Sequence, residues 1–178
     1  MESKNNITLE YFANYIHYGV YRLHLGLNYR YLKFNKMVAN KLFHITISED
    51  RIKRNNHFMC NYEDGLIVSI THHNFGFCWS GYACFFSFIL MGVLNRIGLE
   101  LEGIMDFIVF AIPVCIGYIP QHIYVFKGDR YIKFFNKFDK KGPEWQRKCK
   151  WAALAFIIFD FPVMFLGLFI MDFIIKKL

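Results

Sequence analysis

Three long apolar runs alternate with polar, basic segments along this chain. The runs cover residues 75–94, 104–126 and 151–175. Each run has 20 or more residues, which is the length that an α-helix needs to cross a hydrocarbon core about 30 Å thick. Their apolar residues are continuous rather than alternating, which indicates helices and not the strands of a barrel. The pattern therefore predicts an all-α integral membrane protein with about three transmembrane helices.

The basic residues lie almost entirely outside these runs. Of the 21 Lys and Arg residues, nine fall in residues 1–74 and nine in 127–150, whereas the connection 95–103 holds one Arg and two Glu. Because basic loops stay on the cytoplasmic side, residues 127–150 are expected in the cytoplasm and 95–103 outside. Three spans then give a multipass protein of the plasma (inner) membrane, with a cytoplasmic N-terminus and a C-terminus outside.

The chain divides into a cytoplasmic or interfacial segment, 1–74, and a membrane domain, 75–178. Residues 9–43 of the first segment read as one or two helices, and six of the eleven tyrosines lie between Tyr11 and Tyr31. Basic residues interleave with these tyrosines, and they are Arg22, Arg30, Lys33 and Lys36. The mixture predicts a helix lying on anionic lipid headgroups. Packing on another protein, or on a loop of this chain, is the alternative, and no nucleic-acid partner is expected.

Residues 42–71 have a different pattern. Phe43, Ile45 and Ile47 alternate with polar residues, and residues 66–71 are apolar and β-branched. A polar segment rich in turn-forming residues separates the two pieces. The pattern predicts a small β-hairpin. An extended link into the first span is an equally good interpretation, because an isolated hairpin is marginally stable in water.

The segment 127–150 is predicted to contain an amphipathic, interfacial helix. Its apolar stripe has the helical spacing i, i+3, i+4 and i+7, with basic residues on the other faces. The stripe consists of Tyr131, Phe134, Phe135 and Phe138, and the basic residues include Arg130, Lys133 and Lys137. Trp145 and Trp151 flank the entry to the third span, as interfacial aromatic residues do.

The segment Asp129-Arg130-Tyr131-Ile132-Lys133-Phe134-Phe135-Asn136-Lys137-Phe138 stands between two closely spaced spans and a last span. With this architecture, the chain resembles a loose set of small uncharacterised bacterial multipass membrane proteins. The likeness covers residues 75–178 and the Tyr-rich helix, while residues 41–72 depart from it. The resemblance implies a membrane location and brings no active site.

Asp160 is the candidate for a functional polar residue inside the membrane. It lies nine residues into the third span, where an ionised carboxylate must be paired or else protonated. Tyr118 and His122 lie at similar depths in the second span, so we predict that Asp160 hydrogen-bonds one of them. The group would serve either a proton or cation step or the association of two helices.

Small residues follow one side of the first span and predict close helix packing. They are Gly76, Ser80, Ala83, Cys84 and Ser87. This spacing lets two helix backbones approach each other. The partner helix would belong either to this chain or to a second copy in a homo-oligomer.

The histidines and cysteines show none of the spacings of a metal site or a disulfide framework, so neither metal nor cofactor is expected. Catalytic motifs are equally lacking. The hypothesis we favour is a membrane protein that acts by association with itself or with partner proteins. One alternative is an oligomeric pore or an ion- or proton-coupled carrier that uses Asp160. A second is a membrane enzyme acting on lipid, for which His122, Lys127 and Arg130 are the candidate cluster.

Overall fold

The computed structural model of the protein describes residues 4–42, 44, 48–99 and 102–177. These residues form six α-helices and one short π-helix, and they contain no strand. The helices are α1 (Lys4–Leu42), α2 (Glu49–Cys60), α3 (Leu66–Arg96), α4 (Ile104–Gln121), the π-helix (His122–Phe126), α5 (Arg130–Asp139) and α6 (Pro143–Lys177).

Three helices of the described chain are long and apolar enough to cross a membrane: Leu66–Arg96, Ile104–Phe126 and Pro143–Lys176. They contain the three apolar runs of the sequence, so the expectation of a multipass membrane protein is supported at this level. The first helix begins nine residues before residue 75, and the last begins eight residues before residue 151. Both helices therefore continue beyond the apolar runs, on the side where α4 ends.

The prediction of a β-hairpin within residues 42–71 is wrong for the residues that the structure describes. Residues 49–60 form α2, and residues 66–71 form the first turns of α3. Positions 43 and 45–47, which carry the predicted alternation, lie outside the described residues. The β-branched residues after position 66 extend the apolar run of α3 toward its start, and Ile67 and Val68 are buried in the packed core. Tertiary packing thus overrides their local preference for strands.

Helix α3 is the centre of the membrane bundle. It runs antiparallel to α4, since the Trp79 indole donates to the Gly117 carbonyl (2.7 Å) and the Ser87 hydroxyl to the Phe110 carbonyl (2.7 Å). It runs parallel to α6. Small residues allow this approach: a Cβ atom added at Gly92 would lie 3.1 Å from the Met171 Cα atom. The bundle therefore packs through small residues, as membrane helices do.

A helical cap covers one end of this bundle. It consists of α1, α2, the π-helix, α5 and the first turns of α3 and α6, which share one aromatic-rich core. Helix α1 contacts the turn 71–74 of α3 through both His17 and His24, and it packs against the start of α6 through Tyr15 and Gly19.

The second half of α1, residues 25–42, is named the arm here. Most of its large apolar side chains are exposed, with Leu27 at 61% and Tyr31 at 62%, whereas Leu25 and Leu32 are partly buried. The arm leaves the bundle at the level of the turn 71–74, just before the apolar run of α3 begins. Its 18 residues form a helix about 27 Å long.

Candidate functional site

The apolar stripe of α5 packs on α1 and not on lipid. Phe135 and Phe138 are completely buried, and both lie edge-on to the Tyr18 ring, at centroid distances of 5.2 and 5.5 Å. Tyr21 also contacts Phe135, at 5.0 Å. The predicted interfacial placement of this stripe is therefore replaced by a protein core. An i, i+3, i+4 spacing identifies the buried face of a helix without identifying what covers it.

The remaining residues that were predicted to be interfacial lie in different environments. Lys133 and Lys137 are exposed on α5, and Trp151 is exposed on α6. Phe134 lies at the edge of the core, where its ring contacts that of Tyr11 at 6.4 Å. Trp145 packs on the rings of α1, as part of the cap.

A hydrogen bond between two histidines joins α1 to α3 inside the cap. His17 Nε2 lies 2.9 Å from His72 Nδ1, and the His17 side chain is completely buried. Its other ring nitrogen, Nδ1, has no hydrogen-bond partner in the described structure. Burial and the neighbouring His72 imidazole hold the pKa of His17 well below its usual value of 6.5. The pair is therefore neutral at pH 7, and it can share one proton between two ring nitrogens.

More polar contacts continue along the same crossing. His24 Nδ1 lies 3.0 Å from the Thr71 hydroxyl, and its Nε2 lies 3.0 Å from the Asn74 amide. Asn14 donates to the Tyr124 carbonyl of the π-helix, at 2.8 Å. The interface between cap and spans is thus lined with uncharged polar groups rather than with ion pairs.

We expect acid to destabilise the cap through His17. Its pKa is lowered in the folded protein, so the unfolded chain binds the proton more readily once the pH falls below about 6.5. The contribution of His17 to the free energy of unfolding is therefore complete above this pH. Below it, the free energy of unfolding falls by at most about 1.4 kcal/mol per pH unit, because one proton is involved. Around His17 lie His72 of α3, Phe126 of the π-helix and Tyr131 of α5. No carboxylate is among these contacts to stabilise the imidazolium.

Thermal unfolding in detergent between pH 7.5 and pH 5 measures this loss. The variant His17→Gln should flatten the pH dependence, while His57→Gln on the exposed face of α2 should leave it unchanged. Equal slopes for the wild-type protein and the His17 variant would show that another group carries the effect.

The structure does not bring Asp160 together with Tyr118 or His122. Asp160 is only 4% exposed and lies between α6 and α3, and its Oδ1 atom has no hydrogen-bond partner in the described structure. The carboxylate occupies the space beside Gly81, where a Cβ atom would collide with both of its oxygens. Tyr118 and His122 are exposed instead, and their rings stack on each other at 6.0 Å.

A groove of about 410 Å³ lies where α3 begins and α4 ends. Its lining consists of His72, His73, Gly76, Tyr118, Gln121 and Phe126. The π-helix forms one end of the groove. Its turn is completed by the Lys127 amide, which donates to the His122 carbonyl five residues earlier in the chain (2.8 Å). Such π-helical turns are frequent at functional sites. Pro120 precedes the turn and removes a backbone donor from α4, which favours the altered hydrogen-bond register.

The small residues of the first span pack within this chain where the structure reports their neighbours. Gly76 faces the Gln121 side chain, Ala83 lies against Gly117, and Ser87 donates to α4. Ser80 donates to the Gly76 carbonyl on its own helix, and Cys84 is half-buried. The intramolecular alternative therefore accounts for Gly76, Ala83 and Ser87.

The three residues predicted as a cluster for a lipid enzyme differ in their contacts. Arg130 makes a salt bridge with Glu10 at the start of the cap (3.1 Å), while His122 and Lys127 are exposed. Among the residues that the structure describes, no group of three or more His, Cys, Asp or Glu side chains is arranged to hold a metal ion.

Sequence reasoning missed the residues on which the site depends: His17, His72, Gly81 and Gln121. His17 carried one available signal, since it lies on the same helical stripe as Ala13, Val20 and His24. No protein-family model, curated protein or solved structure matches this chain. The assignment of function therefore rests on the geometry of the cap, the arm and the groove.

Proposed function

We propose that this chain is a multipass membrane protein that acts by association at one face of the bilayer: its arm binds anionic lipid headgroups, and a second copy or a partner protein is the alternative occupant. The arm is the observation that carries this proposal. Leu27, Tyr31, Phe34 and Leu42 continue in register the α1 stripe that is buried in the cap, yet in the arm these side chains are exposed. A helix that keeps an apolar stripe beyond its own core has a further surface to cover.

The first partner that we propose for the arm is the layer of anionic headgroups. Arg30, Lys33, Lys36 and Lys41 are exposed on the arm, and no acidic residue occurs between Glu10 and Glu49. Two arms placed side by side would therefore repel each other, whereas each basic residue near an anionic membrane contributes about 1 kcal/mol. The arm begins beside the turn 71–74 of α3, just before the apolar run of that helix, and this level favours the same partner. By the positive-inside rule, this face would be the cytoplasmic face of the plasma membrane.

Hydrogen exchange of residues 25–42 tests this placement in the full-length protein. In nanodiscs that contain phosphatidylglycerol, the arm amides should exchange more slowly than in nanodiscs of phosphatidylcholine alone. The triple variant Lys33→Gln, Lys36→Gln and Lys41→Gln should remove about 3 kcal/mol of attraction. The equilibrium constant for binding of the arm to the anionic nanodiscs, relative to the phosphatidylcholine nanodiscs, should then fall by roughly 100-fold.

The matched control makes the same charge change on α5 and the residue that follows it, with Lys133→Gln, Lys137→Gln and Lys140→Gln. This control should keep the lipid dependence of the arm. Exchange that is equal in both lipids for the wild-type protein would contradict a headgroup partner. In that case, light scattering of the wild-type protein and of a Tyr31→Ser, Phe34→Ser variant in detergent would decide whether the arm joins two copies.

A carrier that uses Asp160 is the second candidate function. The observation that favours it is a carboxyl group buried at the interface of two spans with one oxygen unpartnered in the described structure. Such groups mark ion and proton pathways in many membrane proteins. The covering of Asp160 by α3 of the same chain weighs against a lumen shared between several copies.

A further inference from the structure

The groove between α3 and α4 lies at the level where hydrocarbon meets headgroups. Its α3 side is formed around Gly76, immediately after the apolar run begins at Phe75, and its α4 side reaches Phe126, where the second apolar run ends. A volume of about 410 Å³ is within the range of small-molecule sites, which begins near 300 Å³. The molecules that surround the groove at this level are membrane lipids.

Gln121 supplies a buried hydrogen-bonding group to this groove. Its side chain is only 1% exposed, and it forms part of the lining of the groove. The amide nitrogen lies 3.1 Å from the position that a Cβ atom of residue 76 would take, so the absent side chain of Gly76 leaves room for it. An amide in the lining of a groove can donate to a ligand oxygen there, and such a bond is stronger where little water reaches it.

His72 adds a second polar atom in a fixed orientation. Its Nδ1 is bonded to His17, and its ring is held edge-on against Phe126 at 4.9 Å and Tyr131 at 4.6 Å. Nε2 is then the ring nitrogen left for a ligand. His73 lies beside it and donates from Nδ1 to the Ser69 carbonyl (2.8 Å), which leaves its Nε2 as an acceptor for a ligand hydroxyl.

The lining of the groove contains no Lys, Arg, Asp or Glu residue. A phosphate group would find amide and imidazole donors there, but no cation to compensate its charge. An uncharged head with carbonyl or hydroxyl oxygens matches the lining better, because its oxygens can accept from the Gln121 amide and the His72 imidazole, and a hydroxyl can donate to His73 Nε2. The aromatic rings of Tyr118 and Phe126 suit the apolar part next to such a head.

We propose that this groove binds the oxygen-bearing head of an uncharged membrane lipid, through Gln121 and the two histidines His72 and His73. Two sources of this chemistry are the glycerol ester head of a diacylglycerol and the carbonyl head of a quinone. The groove is separate from the arm, so this proposal stands or falls independently of the headgroup placement of residues 25–42.

Binding of three soluble analogues to the full-length protein in detergent tests the proposal. They are dioctanoylglycerol, decylubiquinone and dioctanoylphosphatidic acid, each followed by native mass spectrometry and by thermal shift. At least one uncharged analogue should bind the wild-type protein, and the one that binds more tightly identifies the source. The variant Gln121→Leu should weaken this binding by tenfold or more, because it removes the amide and keeps most of the volume.

The matched control is Gln146→Leu, which removes an amide that bonds the Asp139 and Lys141 carbonyls outside the groove. This control should bind the analogue like the wild-type protein. Gly76→Ala offers a second perturbation, since its methyl group displaces the Gln121 amide, and it should also weaken binding. Tighter binding of the phosphatidic acid than of both uncharged analogues would overturn the proposal. Equal binding by the wild-type protein and Gln121→Leu, or binding of none of the three, would overturn it as well.

Discussion

Replacing Gly19 with alanine should detach α1 from α6 and make the buried thiol of Cys149 reactive. A Cβ atom at residue 19 would lie 2.5 Å from the Cys149 carbonyl oxygen and 2.6 Å from the Ala153 Cβ atom. Both are atoms that rotation of a side chain cannot move away. Overpacking of this kind typically costs about 1–3 kcal/mol, and contact with a helix backbone belongs at the upper end.

The Cys149 thiol reports the opening of this contact. In the wild-type protein it is completely buried and donates to the Tyr15 carbonyl of α1 (2.9 Å). A loss of about 3 kcal/mol raises the population of locally open molecules roughly 100-fold, and maleimide labelling of Cys149 should accelerate by a similar factor.

Gly26→Ala is the matched control on the same helix. A Cβ atom at residue 26 meets nothing within 4 Å, and alanine is a better helix former than glycine by about 1 kcal/mol. This variant should leave Cys149 protected and should stabilise α1 slightly. If both variants labelled at the wild-type rate, the close packing of α1 on α6 would not be what keeps the cap in place.

The spans could be predicted from the sequence because hydrocarbon imposes a simple requirement of length and continuity. Residues 104–126 were predicted with the bounds that the structure has. The other two helices extend past their apolar runs into the cap, and hydropathy carries no information about this part. Their first turns are mixed in polarity because they are covered by aromatic protein residues and not by lipid.

The cap could not be predicted because one sequence pattern serves two environments. Phe135 and Phe138 have the spacing of an interfacial helix, yet their cover is Tyr18 of α1. The Tyr-rich segment was expected on headgroups, with packing on the chain itself as the alternative. The structure divides the segment: its first half packs in the cap, and the arm keeps the exposed basic and aromatic surface.

The candidate site was harder still, since its contacts join distant parts of the chain. The His17–His72 bond spans 55 residues, and no local spacing reveals it. For Asp160, the depth in the membrane was estimated by counting residues, but depth does not determine the side of the helix. Asp160 faces α3 and not α4, so Gly81 is its neighbour in place of Tyr118 or His122.

The Gly81–Asp160 contact yields a prediction in which one substitution is rescued by another. Gly81→Ala should destabilise the packing of α3 on α6 by about 1–3 kcal/mol, because its methyl group needs the space of the carboxylate. Asp160→Ala frees this space and also removes a buried carboxyl group with an unpartnered oxygen. The double variant should therefore be more stable than Gly81→Ala alone, with a coupling energy of about 0.5–3 kcal/mol.

Asp160→Asn separates the effect of shape from that of charge, since asparagine has nearly the volume of aspartate. Combined with Gly81→Ala, it should remain as unstable as the single glycine variant if the contact is steric. Reversible unfolding in detergent, followed by tryptophan fluorescence, measures all of these variants. Rescue by asparagine as complete as rescue by alanine would mean that the carboxylate charge dominates the contact. Asp160 would then act in the bundle through its ionisation. This outcome would favour the carrier hypothesis over the hypothesis that Asp160 only packs two helices together.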